Sequence, residues 1–236
     1  MSRRDGVSFR TMGAGERKDG AVAGARTDGR VERGNQTRRL VLARTMDIAS
    51  VEGLEGLSIG RLATELGLSK SGVFALFGSK EELQLATIRA ARAVFADRVA
   101  RPPASEPPGP GRVWRLCTAY LEYSRDRVFT GGCFFVTVAA EFGARSGPVR
   151  DAVAAARGEW GDHVTGVIEE ARLGGGLRTD TDARQLAFEL MALLEMANAE
   201  STLYGDEQGY ELAAAGIRAR LRAAASNPAA LADVVG

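Results

Sequence analysis

Histidine occurs once in the 236 residues and cysteine twice, and Cys117 and Cys133 form no C-x-x-C pair. A zinc site needs clustered Cys and His, so neither a metal nor a cofactor is expected. Two isolated thiols in apolar helical contexts fit buried free cysteines of a reducing compartment. Long apolar runs are missing as well. Cys133 to Ala140 is among the longest, far below the roughly 20 residues that span a bilayer, and the Gly-, Arg- and Asp-rich N-terminus has no apolar signal core. A soluble cytoplasmic chain is the expectation. No segment sustains period-two alternation with turn punctuation, which argues against a sheet and for an all-α fold.

Catalytic patterns are equally sparse. Gly56-Leu57-Ser58-Ile59-Gly60 matches G-x-S-x-G, but that elbow needs a preceding strand, and a helix and glycine turn precede it here. His163 is the one histidine that could act as base, and nothing in the sequence places it beside Ser58. Gly174 to Gly176 lack the Lys-Ser/Thr ending of a phosphate loop. The chain is therefore not expected to be an enzyme.

What is present is charge asymmetry and helix grammar. Residues 1–80 hold 14 Lys+Arg against 9 Asp+Glu, leaving 17 against 21 for the rest, so a +5 front precedes a −4 remainder. That suits a nucleic-acid head on a body not drawn to phosphate, although chance unevenness and an Arg-rich tail would look alike. Residues 1–35 mix Gly, Arg, Asp and Ser with few large apolar side chains, and are expected to be a disordered arm. From Thr37, read as a cap, a first helix carries Leu42, Thr45, Met46 and Ala49 and ends near Gly53.

Leu57 to Leu83 reads LSIGRLATELGLSKSGVFALFGSKEEL. Ser58 caps a second helix, Gly67 supplies a left-handed turn, and Ser69 opens a short third helix. Ser79-Lys80-Glu81-Glu82 then forms an S-x-x-E capping box for a fourth. Two short helices around a glycine turn are the pattern of a helix-turn-helix DNA reader, whose second helix places small and polar side chains in the major groove. Ser69, Lys70, Ser71 and Gly72 are such residues, and Val73 and Phe77 are left to pack inward.

With those motifs in hand, the chain resembles the TetR family of bacterial transcriptional regulators over about residues 37–85. The spacing, the aromatic pair Phe74 and Phe77, and the SKEEL start of the fourth helix occur in the family's order. GGCFF at 131–135 with EFGARSGPVRDAV after it also looks like one subgroup of that family. The resemblance implies an N-terminal three-helix helix-turn-helix domain, residues 36–82, and a helical effector-binding and dimerisation domain, 83–226, followed by a tail, 227–236. It implies a homodimer on double-stranded DNA with a palindromic operator, most simply a repressor released by a small hydrophobic effector. Ser69, Lys70, Ser71 and Gly72 lead the implied recognition helix. Lys80 ranks highest, because a lysine opposing a helix macrodipole invites a phosphate beside it. Thr37 and Arg61 are further phosphate candidates, with Arg38 and Arg39 equally well read as solvated. The family often has Tyr and His where Phe74 and Leu76 stand. Phe74 either touches thymine methyls or packs inward. A helical interaction adaptor without DNA contact is the alternative function.

Beyond Arg101 to Gly111, a Pro/Gly break, helices are expected at about 133–145, 148–173, 180–203 and 207–225, after one carrying Trp114, Cys117 and Leu121. Aromatic residues cluster before residue 160, and an apolar effector pocket is assigned to Trp114, Tyr123, Phe134, Thr137, Glu141, Trp160 and His163. The apolar surplus of the last two helices, Leu186 to Met196 and Leu212 to Leu221, is assigned by resemblance to the dimer interface.

Overall fold

Serine and glycine set the helix ends on which the fold is built. The computed structural model describes residues 19–231, with side chains described from 31 to 229. In chain order the helices are α1 (Asp19–Glu52), α2 (Ile59–Glu65), α3 (Lys70–Phe77), α4 (Lys80–Phe95) and α5 (Pro110–Arg125). They continue as α6 (Phe134–Phe142), α7 (Pro148–Leu173), α8 (Ala183–Tyr204), α9 (Gln208–Ala224) and the short α10 (Pro228–Leu231). Among the described residues the strand-like pairing is a single bridge, Leu177 with Ala225, so the fold is all-α.

Ser58, Ser69 and Ser79 each sit in extended backbone and accept the amide of the residue three positions on, Arg61, Gly72 and Glu82. Each satisfies an amide that the helix start leaves without an intrahelical partner. Between α2 and α3, Gly67 takes φ +63° and the following Leu68 amide closes on the Ala63 carbonyl. α4 runs on as a π turn, Ala96–Ala100, and a 3-10 turn, Pro102–Ser105, before α5 starts at Pro110. The break is shorter than its Pro and Gly content suggests, because proline is tolerated in the first turn of a helix.

Helix α1 departs from the sequence reading. It begins at Asp19, so 19–35 are helical where an unstructured arm is expected, and the arm's residues 1–18 lie outside the described residues. Thr37 is not a cap. Its hydroxyl donates to the Arg33 carbonyl, 2.9 Å away and four residues back, the bond that lets threonine sit inside a helix.

The described residues divide into two units, with the boundary between Arg39 and Leu40. Within the second, the helix-turn-helix is continuous with the body through α4, whose Thr87 hydroxyl donates to Thr45 of α1 at 2.9 Å in a buried position. α8 turns Leu186, Leu190, Leu194 and Ala197 inward, and α9 turns Ala213, Ile217 and Leu221 inward. Neither Cys117 nor Cys133 is bonded, and both are buried. Burial pushes the Cys117 thiol up to about 12, which leaves it protonated and unreactive at neutral pH. Among the described residues no helix is long and apolar enough to cross a membrane.

A hydrogen-bonded clamp joins the reading head to the body. The Glu141 carboxylate of α6 accepts the backbone amides of Leu54 at 2.6 Å and Glu55 at 2.9 Å. Thr137 donates to the Ser50 carbonyl at 2.9 Å, Asp47 accepts the amide and hydroxyl of Thr130, and Ser50 accepts the Gly131 amide. The clamp needs glycine at 53, which has φ +77° and at which a Cβ would fall onto the Glu141 carboxylate. Gly53→Ala is expected to cost about 1–3 kcal/mol of stability, from backbone strain and the displaced carboxylate. The check is a lower urea midpoint at unchanged m.

Candidate nucleic-acid interface and cavity

The short helix α3 is two-sided. Val73 and Phe77 are buried, whereas Lys70, Ser71, Phe74 and Ala75 are exposed on the opposite side, Phe74 by 53%. That settles the two readings of Phe74 in favour of an outward ring. Leu76 is half-buried against the core. Ser69 and Gly72 form the helix start: the Ser69 hydroxyl accepts the Gly72 amide at 3.0 Å and lies 3.3 Å from the Ser71 hydroxyl.

Three cations stand between α2 and the start of α4, and the structure ranks them differently from the sequence. The Arg61 guanidinium bonds Glu52 through two nitrogens, at 2.6 and 2.8 Å, and Glu65 through its Nε at 2.7 Å. These carboxylates raise its already high pKa, and Glu65 is shared with Arg44. Lys80 donates to the Glu55 carboxylate at 2.9 Å and to the Glu55 carbonyl at 2.8 Å. That hydrogen bond, and then one from Gln84, hold the Glu55 carboxyl below its ordinary range. The positive end of α4 is therefore compensated by Glu55 from the α1–α2 loop and by Glu81 and Glu82 in its own first turn, so the argument for a phosphate at Lys80 loses its premise. Lys70 is the reverse case. It occupies the first position of α3, whose first turn contains no acid, and no carboxylate pairs with it among the described residues.

A cavity of about 360 Å³ lies in the body, at the small end of ligand-binding clefts. Its apolar wall holds Phe95, Tyr120, Cys133, Phe135 and Trp160. Phe95 is the hub of edge-on ring contacts, 4.9 Å from Trp160, 6.0 Å from Phe135 and 6.1 Å from Tyr120 between centroids. Charged groups, Arg89, Arg92, Arg157, Glu159 and Glu195, complete the lining with His163. Burial, then the nearby Arg112 charge, lower the His163 pKa, which keeps the ring neutral at pH 7.

Two family models match the chain. The model described as bacterial regulatory proteins, tetR family, matches residues 41–87, and the tetracyclin repressor-like C-terminal domain matches 109–217. The chain belongs to the TetR family. A TetR transcriptional regulator from Chloroflexus aurantiacus J-10-FL is similar at 25% identity, over 79% of this chain and 94% of that one, with a TM-score of 0.73. A TetR-family regulator from Streptomyces coelicolor is similar at 26% identity over 79% and 95%, with a TM-score of 0.68. AibR, solved in complex with isovaleryl coenzyme A and operator DNA, shares the fold at 17% identity over 76% and 95%, with a TM-score of 0.62. A search of curated proteins finds no match. This TetR-family chain is accordingly a DNA-binding transcriptional regulator.

Of the seven residues assigned to its pocket from sequence, Trp160 and His163 line the cavity. Glu141 and Thr137 are in the clamp instead. Trp114 lies under the Arg218 guanidinium, 5.4 Å from the ring centre, and Tyr123 and Phe134 are buried in the core. Sequence reasoning missed the charged lining altogether, and those residues come from α4, α7 and α8. Arg89, Arg92, Ala93 and Ala96 recur at three- and four-residue spacing, so a helical face was legible on α4 but not what it faces.

Proposed function

We propose that this regulator is a homodimeric repressor that reads a palindromic operator with α3 and leaves it when a small effector occupies the cavity. The observation that carries the reading is the outward face of α3. Lys70, Ser71 and Phe74 are exposed and without carboxylate partners among the described residues, as groove-entering side chains must be. Lys70 is the phosphate or base-edge contact, Ser71 a polar contact, and Phe74 an apolar contact to thymine methyls or sugars. Ser69 and Gly72 shape the helix start. Arg61 and Lys80 hold the head together through Glu52, Glu65 and Glu55, and Thr37 is a helix-interior residue with its hydroxyl already satisfied.

Release follows from α6. Its first turn supplies Phe135 to the cavity beside the capping Cys133, and its later turns supply Thr137 and Glu141 to the clamp. An effector that prefers a shifted α6 would shift the population towards a head position unfit for the operator, provided it binds that state more tightly. AibR, which shares the fold, is solved in complex with both isovaleryl coenzyme A and operator DNA, which supports a small-molecule partner beside DNA for this chain.

The test is duplex binding across a salt series, with Lys70→Ala beside wild type. Wild-type affinity is expected to fall steeply with salt, and Lys70→Ala to reduce the logarithmic slope by about one. Lys80→Ala, by contrast, is expected to leave the slope nearly unchanged. No salt-dependent affinity in wild type would sink the DNA-reading assignment in favour of an adaptor.

A further inference from the structure

The loop between α5 and α6, residues 126–133, is bonded on two sides. Thr130 and Gly131 tie it to Asp47 and Ser50 of α1. Its other side is tied to α8. The Arg127 guanidinium donates to the Ser201 carbonyl and hydroxyl, both at 2.9 Å, and to the Thr202 hydroxyl at 3.2 Å. The Cys133 amide donates to Asn198 Oδ1 at 2.8 Å, and the Ser124 hydroxyl of α5 donates to the same oxygen at 2.7 Å. A backbone amide can only donate, which fixes the oxygen of the buried Asn198 side chain towards the loop.

Two features show that the loop is shaped for this double attachment. Arg127 has φ +48°, the one positive value at a non-glycine among the described residues. Such backbone disfavours a residue with a Cβ and persists where surrounding contacts over-determine it, here the three bonds to α8. Gly131 and Gly132 divide the close approaches between them. A Cβ at 131 would fall onto the Ser50 carbonyl of α1, and one at 132 onto Asn198 Oδ1 of α8.

The contacts continue at both ends. Asp47 also accepts from Arg44 at 3.1 Å, and Arg44 donates to Glu65 of α2 at 2.7 Å, the helix that packs directly against α3. At the other end α8 buries Asn198 and Ser201, whereas Phe188, Met196 and Leu203 are exposed on its far side, the face a second copy would cover.

Resting on the reading of this chain as a two-headed operator reader, we propose that residues 127–133 form a strap that sets the span between the two heads, with Arg127 and Asn198 as positioning residues for half-site spacing. Both act through α1 and α2 rather than on DNA. Each head is held at one distance and angle from the α8 face where the copies meet, so the two α3 helices arrive already spaced for one operator. That removes the ordering which two loosely tethered heads would undergo on binding. The Glu141 and Thr137 clamp ties the head to α6, and the strap ties it to the helix of assembly.

Three duplexes test the proposal: the operator that wild type selects from a random pool, the same operator with two base pairs inserted between its half-sites, and a single half-site. Two base pairs turn one half-site by roughly 70° about the DNA axis. Wild type is expected to bind the inserted duplex about a hundredfold more weakly than the operator. Arg127→Gly removes the bonds to α8 and relieves the left-handed strain, so it is expected to stay folded in thermal denaturation and dimeric in light scattering. It should bind the operator about tenfold more weakly, reduce the insertion penalty to about tenfold and leave half-site affinity unchanged. Asn198→Ala should act in the same direction, and Asn198→Asp, which keeps the accepting oxygen, should do so less. Lys70→Ala gives the contrasting pattern, weaker on all three duplexes with the insertion penalty retained. A wild-type insertion penalty in Arg127→Gly, a half-site affinity that falls in step with the operator's, or loss of its fold or dimer overturns the proposal, as does tolerance of the insertion by wild type. A wild type that selects no paired half-sites fails at an earlier step and overturns the two-headed reading with it.

Discussion

Phe188→Glu combined with Met196→Glu is expected to yield a folded monomer whose operator affinity is lower by about a hundredfold or more. The inward residues of α8 and α9 satisfy the core, yet Phe188, Met196 and Leu203 remain 66%, 58% and 75% exposed on the outer face of α8. With the exposed Ala192 and Ala199 between them, they repeat at spacings of four, four, three and four, which is one stripe along a helix. Leu212 of α9 is 61% exposed. Large apolar side chains concentrated on one helical face mark an association surface, and small residues between them let a second helix approach closely. A carboxylate at two of these positions must be desolvated if the helices pair, so the pairing fails while the inward face is untouched. A monomer reads one half-site and loses the gain in effective concentration that links the two reading heads. Light scattering at micromolar concentration with a gel-shift titration checks both halves of the expectation. A dimer that persists in the double variant would move the interface elsewhere.

Glu141→Ala is expected to lose about 2–3 kcal/mol of stability and most operator binding together. The Glu141 carboxylate accepts the consecutive amides of Leu54 and Glu55, and hydrogen bonds to a charged group contribute about 1.5–3 kcal/mol each, reduced here because the site is half exposed. Those amides lie in the loop that joins α1 to the Ser58 cap of α2, so freeing them loosens the helix pair that presents α3. Glu141→Gln retains an acceptor of the same shape and should fall between wild type and Ala. Urea denaturation and a gel-shift titration on the same samples are the measurement. A pocket-lining Glu141 would give another pattern, with unchanged stability, intact operator binding and a lost effector response.

The two predictions depend on features of unequal legibility in the sequence. Ser58, Gly67, Ser69 and Ser79 were readable because a cap or a left-handed turn is decided within three or four residues. The inward face of α3 was readable for the same reason, since Val73 and Phe77 lie one turn apart. Thr37 was misplaced because threonine can satisfy its hydroxyl at a helix start or on the carbonyl four residues back, and the local sequence serves both. The ion pairs of Arg61 and Lys80 were only partly legible: Glu65 lies one turn on from Arg61, but Glu52 lies nine residues before it and Glu55 twenty-five residues before Lys80. Electrostatic rank depends on such partners, and periodicity does not reveal them. The sequence places Glu141 with the pocket residues because the loop amides it accepts are 86 and 87 residues away and leave no local sign. The cavity was the least legible feature. Four of its aromatic side chains belong to the cluster noticed in the sequence, but the choice among that cluster's members is made by how α4, α5, α6 and α7 converge.

Selection of duplexes from a random pool by the full-length chain, followed by sequencing, bears most directly on the account. Two inverted half-sites are expected, with centres one helical turn or a small multiple of it apart, roughly 34 Å or a multiple, as a two-fold dimer of reading heads requires. Lys70→Ala should weaken that enrichment. A single unpaired site, or a bound pool no different from the input, would contradict a dimer reading DNA through α3.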